Sequence, residues 1–148
     1  MTEARRSSKI FIYDSRQFLY CVYRARGGDW TNPDTVSFIG ADGDQVEAVV
    51  RQVFEKFRLT TAANEWSIIG TVENPANSEI NTIWRLVRTT DALLFLPAAY
   101  GGLMCLKPAE MWAFEEMLSP AALSIMRAMP ELFGPQRKFI ERTYGQRV

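Results

Sequence analysis

Val46, Val49, Val50, Val53, Phe54 and Phe57 recur at the three- and four-residue steps that line one face of an α-helix, which predicts a helix over residues 44–59 with that face in the core. Its other side carries Glu47, Arg51 and Glu55 at successive i, i+4 steps, with Gln52 and Lys56 beside them, a spacing that reads as an outward salt-bridge ladder. Asp42 or Asp44 is the expected N-cap. Before this helix the pattern predicts a hairpin, with strands over 9–13 and 18–24 joined by the polar turn 14–17. The apolar run of its second strand is nearly continuous, as in a strand buried on both faces. A short strand over 35–39 then enters a tight turn at 40–43 that launches the helix.

After the polar stop at 60–64, strands are expected over 65–73 and 82–90, separated by a loop at 74–81, and two further β runs within 91–106. Residues 108–118 lead to Ser119 and Pro120, an N-cap followed by a first-turn proline, and to a helix from 120 towards 132 with a break at Pro130. The ends are polar or basic. Residues 1–8 read as a flexible arm, and 135–148 as a tail in which Arg137, Lys138, Arg142 and Arg147 alternate with Phe139, Ile140 and Tyr144. That tail is either docked on the domain or a partner-binding arm, and its apolar residues could equally pack across a homodimer.

Composition narrows the chemistry. At 148 residues and 47% hydrophobic content the chain is one domain that can build its own core. Lysine plus arginine and aspartate plus glutamate both number 17, so no global field favours nucleic acid or a membrane surface. Histidine is absent, which removes Ser-His-Asp and Cys-His catalysis and every histidine-ligated metal. Cys21 and Cys105 are too few for a disulfide framework or a zinc site. The longest apolar run, 92–106, is interrupted by Pro97, Gly101 and Gly102, and residues 1–8 lack the core of a signal peptide. A cytoplasmic protein that spans no membrane is expected. One loop, 25–34, is rich in glycine, asparagine, proline and aspartate and carries Trp30, which is either a stacking platform for a ligand or a lid on the core.

The run from Val22 to Trp30, the helix 44–59, and the segment from Met111 to Pro120 with its tryptophan and paired glutamates occur in an order that resembles the Nudix hydrolase family. The resemblance covers about residues 9–132. It implies an α/β (α+β) fold, an α/β/α sandwich around a mixed sheet with a central amphipathic helix and a C-terminal helix, and hydrolysis of nucleoside diphosphates linked to another moiety. The family signature runs Gly, five residues, Glu, seven residues, then Arg-Glu-apolar-x-Glu-Glu-x-Gly-apolar. With its arginine on Arg51, the positions of Val53, Glu55 and Leu59 also match. Its helix glutamates fall on Gln52, Glu55 and Lys56, its final glycine on Arg58, its upstream glutamate on Gly43 and its leading glycine on Ser37.

In the family those glutamates hold Mg²⁺ or Mn²⁺ against a pyrophosphate and ready a water for attack. Here Glu55 stands alone, so no metal is expected unless Glu55 binds one together with other acids, and Lys56 sets a cation where a divalent ion would sit. The expectation is a protein that binds a nucleotide or another phosphorylated small molecule without a cofactor. Arg24, Trp30, Gln52 and Lys56 are the candidate ligand contacts, in a cleft between the loop of Trp30 and the helix. The alternatives are a divergent hydrolase using Mg²⁺ or Mn²⁺ through Glu55, Arg51 and Glu47 with acids elsewhere, Glu73 or Glu79, or Glu115 and Glu116; an interaction subunit; or a metal-free enzyme on the same scaffold.

Overall fold

Alternation along the first strand divides the protein into two cores. In the computed structural model, which describes residues 4–24, 35–74, 78–95 and 102–136, that strand is β1 (Arg5–Phe11). Ile10 and Ile12 pack with Val49, Val53 and Phe57, whereas Phe11 and Tyr13 pack with Phe38, Ile125, Met126 and Phe133. The remaining strands are β2 (Leu19–Arg24), β3 (Thr35–Asp42), β4 (Trp66–Asn74), β5 (Glu79–Leu86) and β6 (Gly102–Leu106), in the sheet order β4-β5-β1-β3-β2-β6. β1 and β5 run parallel and the other pairs antiparallel, giving a mixed sheet. Helix α1 (Val46–Phe57) covers one face. Helices α2 (Pro120–Ala128) and α3 (Pro130–Phe133), with a kinked 3-10 segment at Pro108–Met117, cover the other. This is the α/β sandwich expected, with strands on either side of a central helix in the chain.

Several boundaries differ, each for a physical reason. The residues read as the end of a flexible arm are strand: β1 starts at Arg5, and Ser7 and Ser8 are buried because β5 and β3 flank them. The hairpin closes at its turn, where Tyr20 N–H donates to the Ile12 carbonyl at 3.0 Å. It then opens. β3 lies between the two strands, its first half (from Thr35 to Phe38) on β2 and its second (from Ile39 to Asp42) on β1. Gly40 is therefore strand and not turn, and the bend comes at Gly43, whose φ of +80° suits glycine. Neither Asp42 nor Asp44 caps α1: Asp42 Oδ1 is taken by Arg5 at 2.8 Å, Asp44 accepts from Gln45 Nε2 at 2.9 Å, and Gln45 occupies the cap without a side-chain bond.

Val49, Val53 and Phe57 are buried as the pattern predicts, but Phe54 is 45% exposed. The apolar run at Ala92–Phe95 forms a 3-10 helix instead of a strand, and β5 begins at Glu79, three residues before the strand expected there. Ser119 caps α2 by accepting the Ala122 N–H at 3.1 Å; the chain breaks after Ala128 and resumes helix at Pro130. α3 brings Phe133 against Phe11 and Phe38, with ring centroids 6.1 and 5.7 Å apart.

The turn between β1 and β2 holds a fully buried carboxylate, Asp14. Its oxygens accept the backbone N–H groups of Arg16 and Phe18 at 2.9 and 3.0 Å and the Arg16 guanidinium at 2.9 and 2.5 Å. Burial alone pushes its pKa up, but these bonds outweigh it and hold the group below the usual carboxylate range.

Candidate functional site

Gln52 and Lys56 lie one turn apart on α1, on the flank beside the buried stripe, and so point to the same place. They line a cavity of about 300 Å³ together with Arg5, Ser7 and Lys9 of β1, Gly40 and Asp42 of β3, and Glu79 of β5. The sheet creates this space. Because β2 follows β3 only as far as Phe38, the second half of β3 has a strand neighbour on one side alone, and α1 residues complete the wall. Lys9 lies over Gly40: a Cβ there would meet its Nζ at 3.5 Å.

The cavity brings three cations, Arg5, Lys9 and Lys56, to two carboxylates, Asp42 and Glu79. Asp42 is committed to Arg5 at the exposed rim, and no ion pair among the described residues holds Lys9 or Lys56. Lys9 is half-buried. Its pKa is lowered chiefly by that burial, with Arg5 and Lys56 adding to the effect and Glu79 opposing it. Ser7 Oγ lies 2.9 Å from Glu79 Oε1 and 2.6 Å from the Asn81 amide oxygen, while Asn81 Nδ2 is buried without a partner among the described residues. A hydroxyl has one hydrogen, so it cannot donate to both. Turning the Asn81 amide lets Nδ2 donate to Ser7 and Ser7 donate to Glu79, a consistent chain that supplies the missing bond.

Of the candidate ligand contacts among the described residues, Gln52 and Lys56 line this cavity. Glu47, Arg51 and Glu55 are exposed on the outer side of α1, and no ion pair among the described residues links them, so the salt-bridge ladder does not form. Arg24 ends β2 opposite Thr35, with its side chain outside the described residues, as is Trp30 with its loop. The basic tail beyond Gln136 is likewise outside them. Glu79, expected only as a possible acid of the hydrolase alternative, also lines the cavity; Ser7 and Lys9 were not foreseen and Arg5 was not expected at this site, although the period-two spacing of Arg5, Ser7 and Lys9 places them on one face once the arm is read as strand.

No group of three or more histidine, cysteine or acidic residues among those described is placed to hold a metal ion. The cavity's donors do not suit a divalent cation either: of its two carboxylates Asp42 is engaged by Arg5 and Glu79 by Ser7, Gln52 offers one neutral carbonyl, and Lys9 and Lys56 repel positive charge. One feature of the family signature does persist in the backbone. Arg58, where the signature has glycine, adopts left-handed φ 57° and ψ 27° and donates its N–H to the Phe54 carbonyl at 2.8 Å, ending α1 as a glycine would.

The fold is Nudix-like. It is similar to solved structures of a MutT protein from Methanosarcina mazei Go1 (TM-score 0.58, 17% identity, 84% of this chain and 91% of that one) and a mutT/nudix family protein from Listeria innocua (0.54, 13%, 88% and 97%). A MutT/nudix family protein from Enterococcus faecalis is also similar (0.52, 8%, 70% of this chain), although the match spans only 44% of its length. No family model matches the sequence, and no curated protein is significantly similar to it.

Proposed function

We propose that this protein binds a small phosphorylated molecule without a divalent metal, the cavity between α1 and β1 being the binding site. The observation that carries the reading is that Lys9 and Lys56 meet Gln52 in one cavity, on the helix flank where the resembling family keeps metal-holding glutamates. Ammonium groups there replace the bridging role of a metal with direct charge-assisted hydrogen bonds to phosphate oxygens, each worth about 1.5–3 kcal/mol. Burial strengthens the bond from Lys9, because a half-buried lysine is poorly hydrated and gains more from an arriving anion, whereas exposed Lys56 contributes less. A cavity of about 300 Å³ sits at the lower limit of the usual small-molecule range, which favours a single phosphorylated group over a dinucleotide.

The test is a calorimetric titration with nucleoside monophosphates and sugar phosphates in EDTA and again in Mg²⁺. Equal affinity in both is expected; binding that appears only with Mg²⁺ overturns the reading. In a parallel assay, no phosphate is released from nucleoside diphosphate compounds. Metal-dependent turnover that disappears in Glu55→Gln would instead establish a divergent hydrolase.

A further inference from the structure

Lys9 offers more than charge to a ligand, because its side chain ends in an amine. That side chain runs over Gly40, where a Cβ would meet Nζ at 3.5 Å, and both residues line the cavity. No ion pair or hydrogen bond among the described residues engages this nitrogen. The charged groups around it are Arg5 on its own strand, Asp42 of β3, Lys56 of α1 and Glu79 of β5. Asp42 is paired with Arg5, and Glu79 accepts from Ser7. Glu79 favours the ammonium form, but burial, joined by Arg5 and Lys56, outweighs it and lowers the pKa. The neutral amine, which is the nucleophile, is therefore more abundant on Lys9 than on an exposed lysine. The other described lysines, Lys56 and Lys107, are exposed.

Resting on the phosphate-binding reading above, we infer that Lys9 captures the carbonyl carbon of a small phosphorylated aldehyde as a reversible imine. Lys9 helps to draw the ligand in as an ammonium and reacts through its neutral fraction. Exposed Lys56 then keeps the phosphate at the mouth of the cavity, and the aldehyde end reaches half-buried Lys9. The neutral Nζ adds to the carbonyl carbon, and a proton passes from nitrogen to the carbonyl oxygen. The resulting carbinolamine loses water, so that a C=N bond replaces C=O with no oxidation or reduction. Burial favours this product for the reason that it disfavours the ammonium: the imine carries no charge, and poor access of water slows its hydrolysis.

The experiment treats wild type with glyceraldehyde 3-phosphate in EDTA over a range of pH, reduces any imine with borohydride and maps the adducts by peptide mass spectrometry. Glycerol 3-phosphate, which has no carbonyl, serves as competitor and is titrated separately by calorimetry. Lys9 is expected to carry severalfold more adduct than Lys56, Lys107 or Lys138, to begin labelling at a lower pH than exposed Lys107, and to be protected by the competitor. Adduct spread evenly over these lysines, or no more of it on Lys9 than on Lys107, overturns the inference; binding of glycerol 3-phosphate then leaves the phosphate site standing. That comparison needs no variant. Lys9→Arg keeps a cation for the phosphate, so it should still bind glycerol 3-phosphate while total adduct falls severalfold, and undiminished labelling of the folded variant also overturns the inference. Failure of wild type to bind glycerol 3-phosphate overturns the phosphate site itself, and with it the claim that the aldehyde is a phosphorylated one.

Discussion

Asp14 and Lys9 stand five positions apart along β1 and the turn that follows it, and both bring charge under the surface. Asp14 is surrounded by donors: two backbone N–H groups and a guanidinium consume its charge, and what they achieve together is a turn. Lys9 meets the reverse condition. Its neighbours Arg5 and Lys56 share its sign, Glu79 offsets them in part, and with Asp42 committed to Arg5 the cations at the cavity outnumber the acids. A buried charge matched within its own segment is architecture; one left in surplus beside a cavity is available to a ligand.

Substitutions at the two positions should therefore separate stability from binding. Asp14→Ala removes the acceptor from two backbone N–H groups and leaves Arg16 to solvent, and is expected to cost about 2–3 kcal/mol in chemical denaturation. The same group sets an acid limit. Because its folded pKa is lowered, its stabilisation is complete above the ordinary carboxylate pKa of about 4 and is lost as pH falls through the lower folded value. The acid midpoint of unfolding should shift upward in proteins that lack it.

Lys9→Met should do the opposite. Removing a desolvated cation with cationic neighbours leaves stability unchanged or raises it by about 1 kcal/mol, while affinity for a sugar phosphate falls about 10- to 100-fold. In wild type, raising pH has a related effect. With a folded pKa below 10.5, Lys9 loses its proton earlier than an exposed lysine, so anion affinity should begin to decline below that pH while this group's contribution to stability rises. Lys56→Gln, at an exposed position, should weaken binding only about threefold. The smallest effect concerns backbone strain. Arg58→Gly relieves a left-handed conformation at the end of α1, loses the stacking of its guanidinium 5.7 Å above the Phe54 ring, and should raise stability by about 0.5 kcal/mol in denaturant titrations.

The fold was legible in sequence where periodicity is long, and the site where it lies on the helix. Val49, Val53 and Phe57 announce α1 because three turns of one stripe leave little ambiguity. Phe54 misleads, since it sits at the margin of that stripe and leans towards Arg58 instead of the sheet. Gly40 reads as a turn because glycine permits one, yet in the structure it leaves room for Lys9. Ala92–Phe95 is too short an apolar run to tell strand from helix. Gln52 and Lys56 could be placed from the signature alone. Lys9 and Glu79 could not, because what brings them to the helix is the parallel pairing of β1 with β5 and the insertion of β3 between β1 and β2. Such contacts between distant segments leave no local pattern.

The central claim is that lysine, and not a metal, supplies the positive charge of this site. A calorimetric titration of wild type and Lys9→Met with ribose 5-phosphate in EDTA, with a melting curve for each, tests it most directly. Wild type is expected to bind, Lys9→Met to bind at least tenfold more weakly, and the variant to melt no lower than wild type. Equal binding by the two proteins, or binding by wild type only when Mg²⁺ is restored, would contradict it.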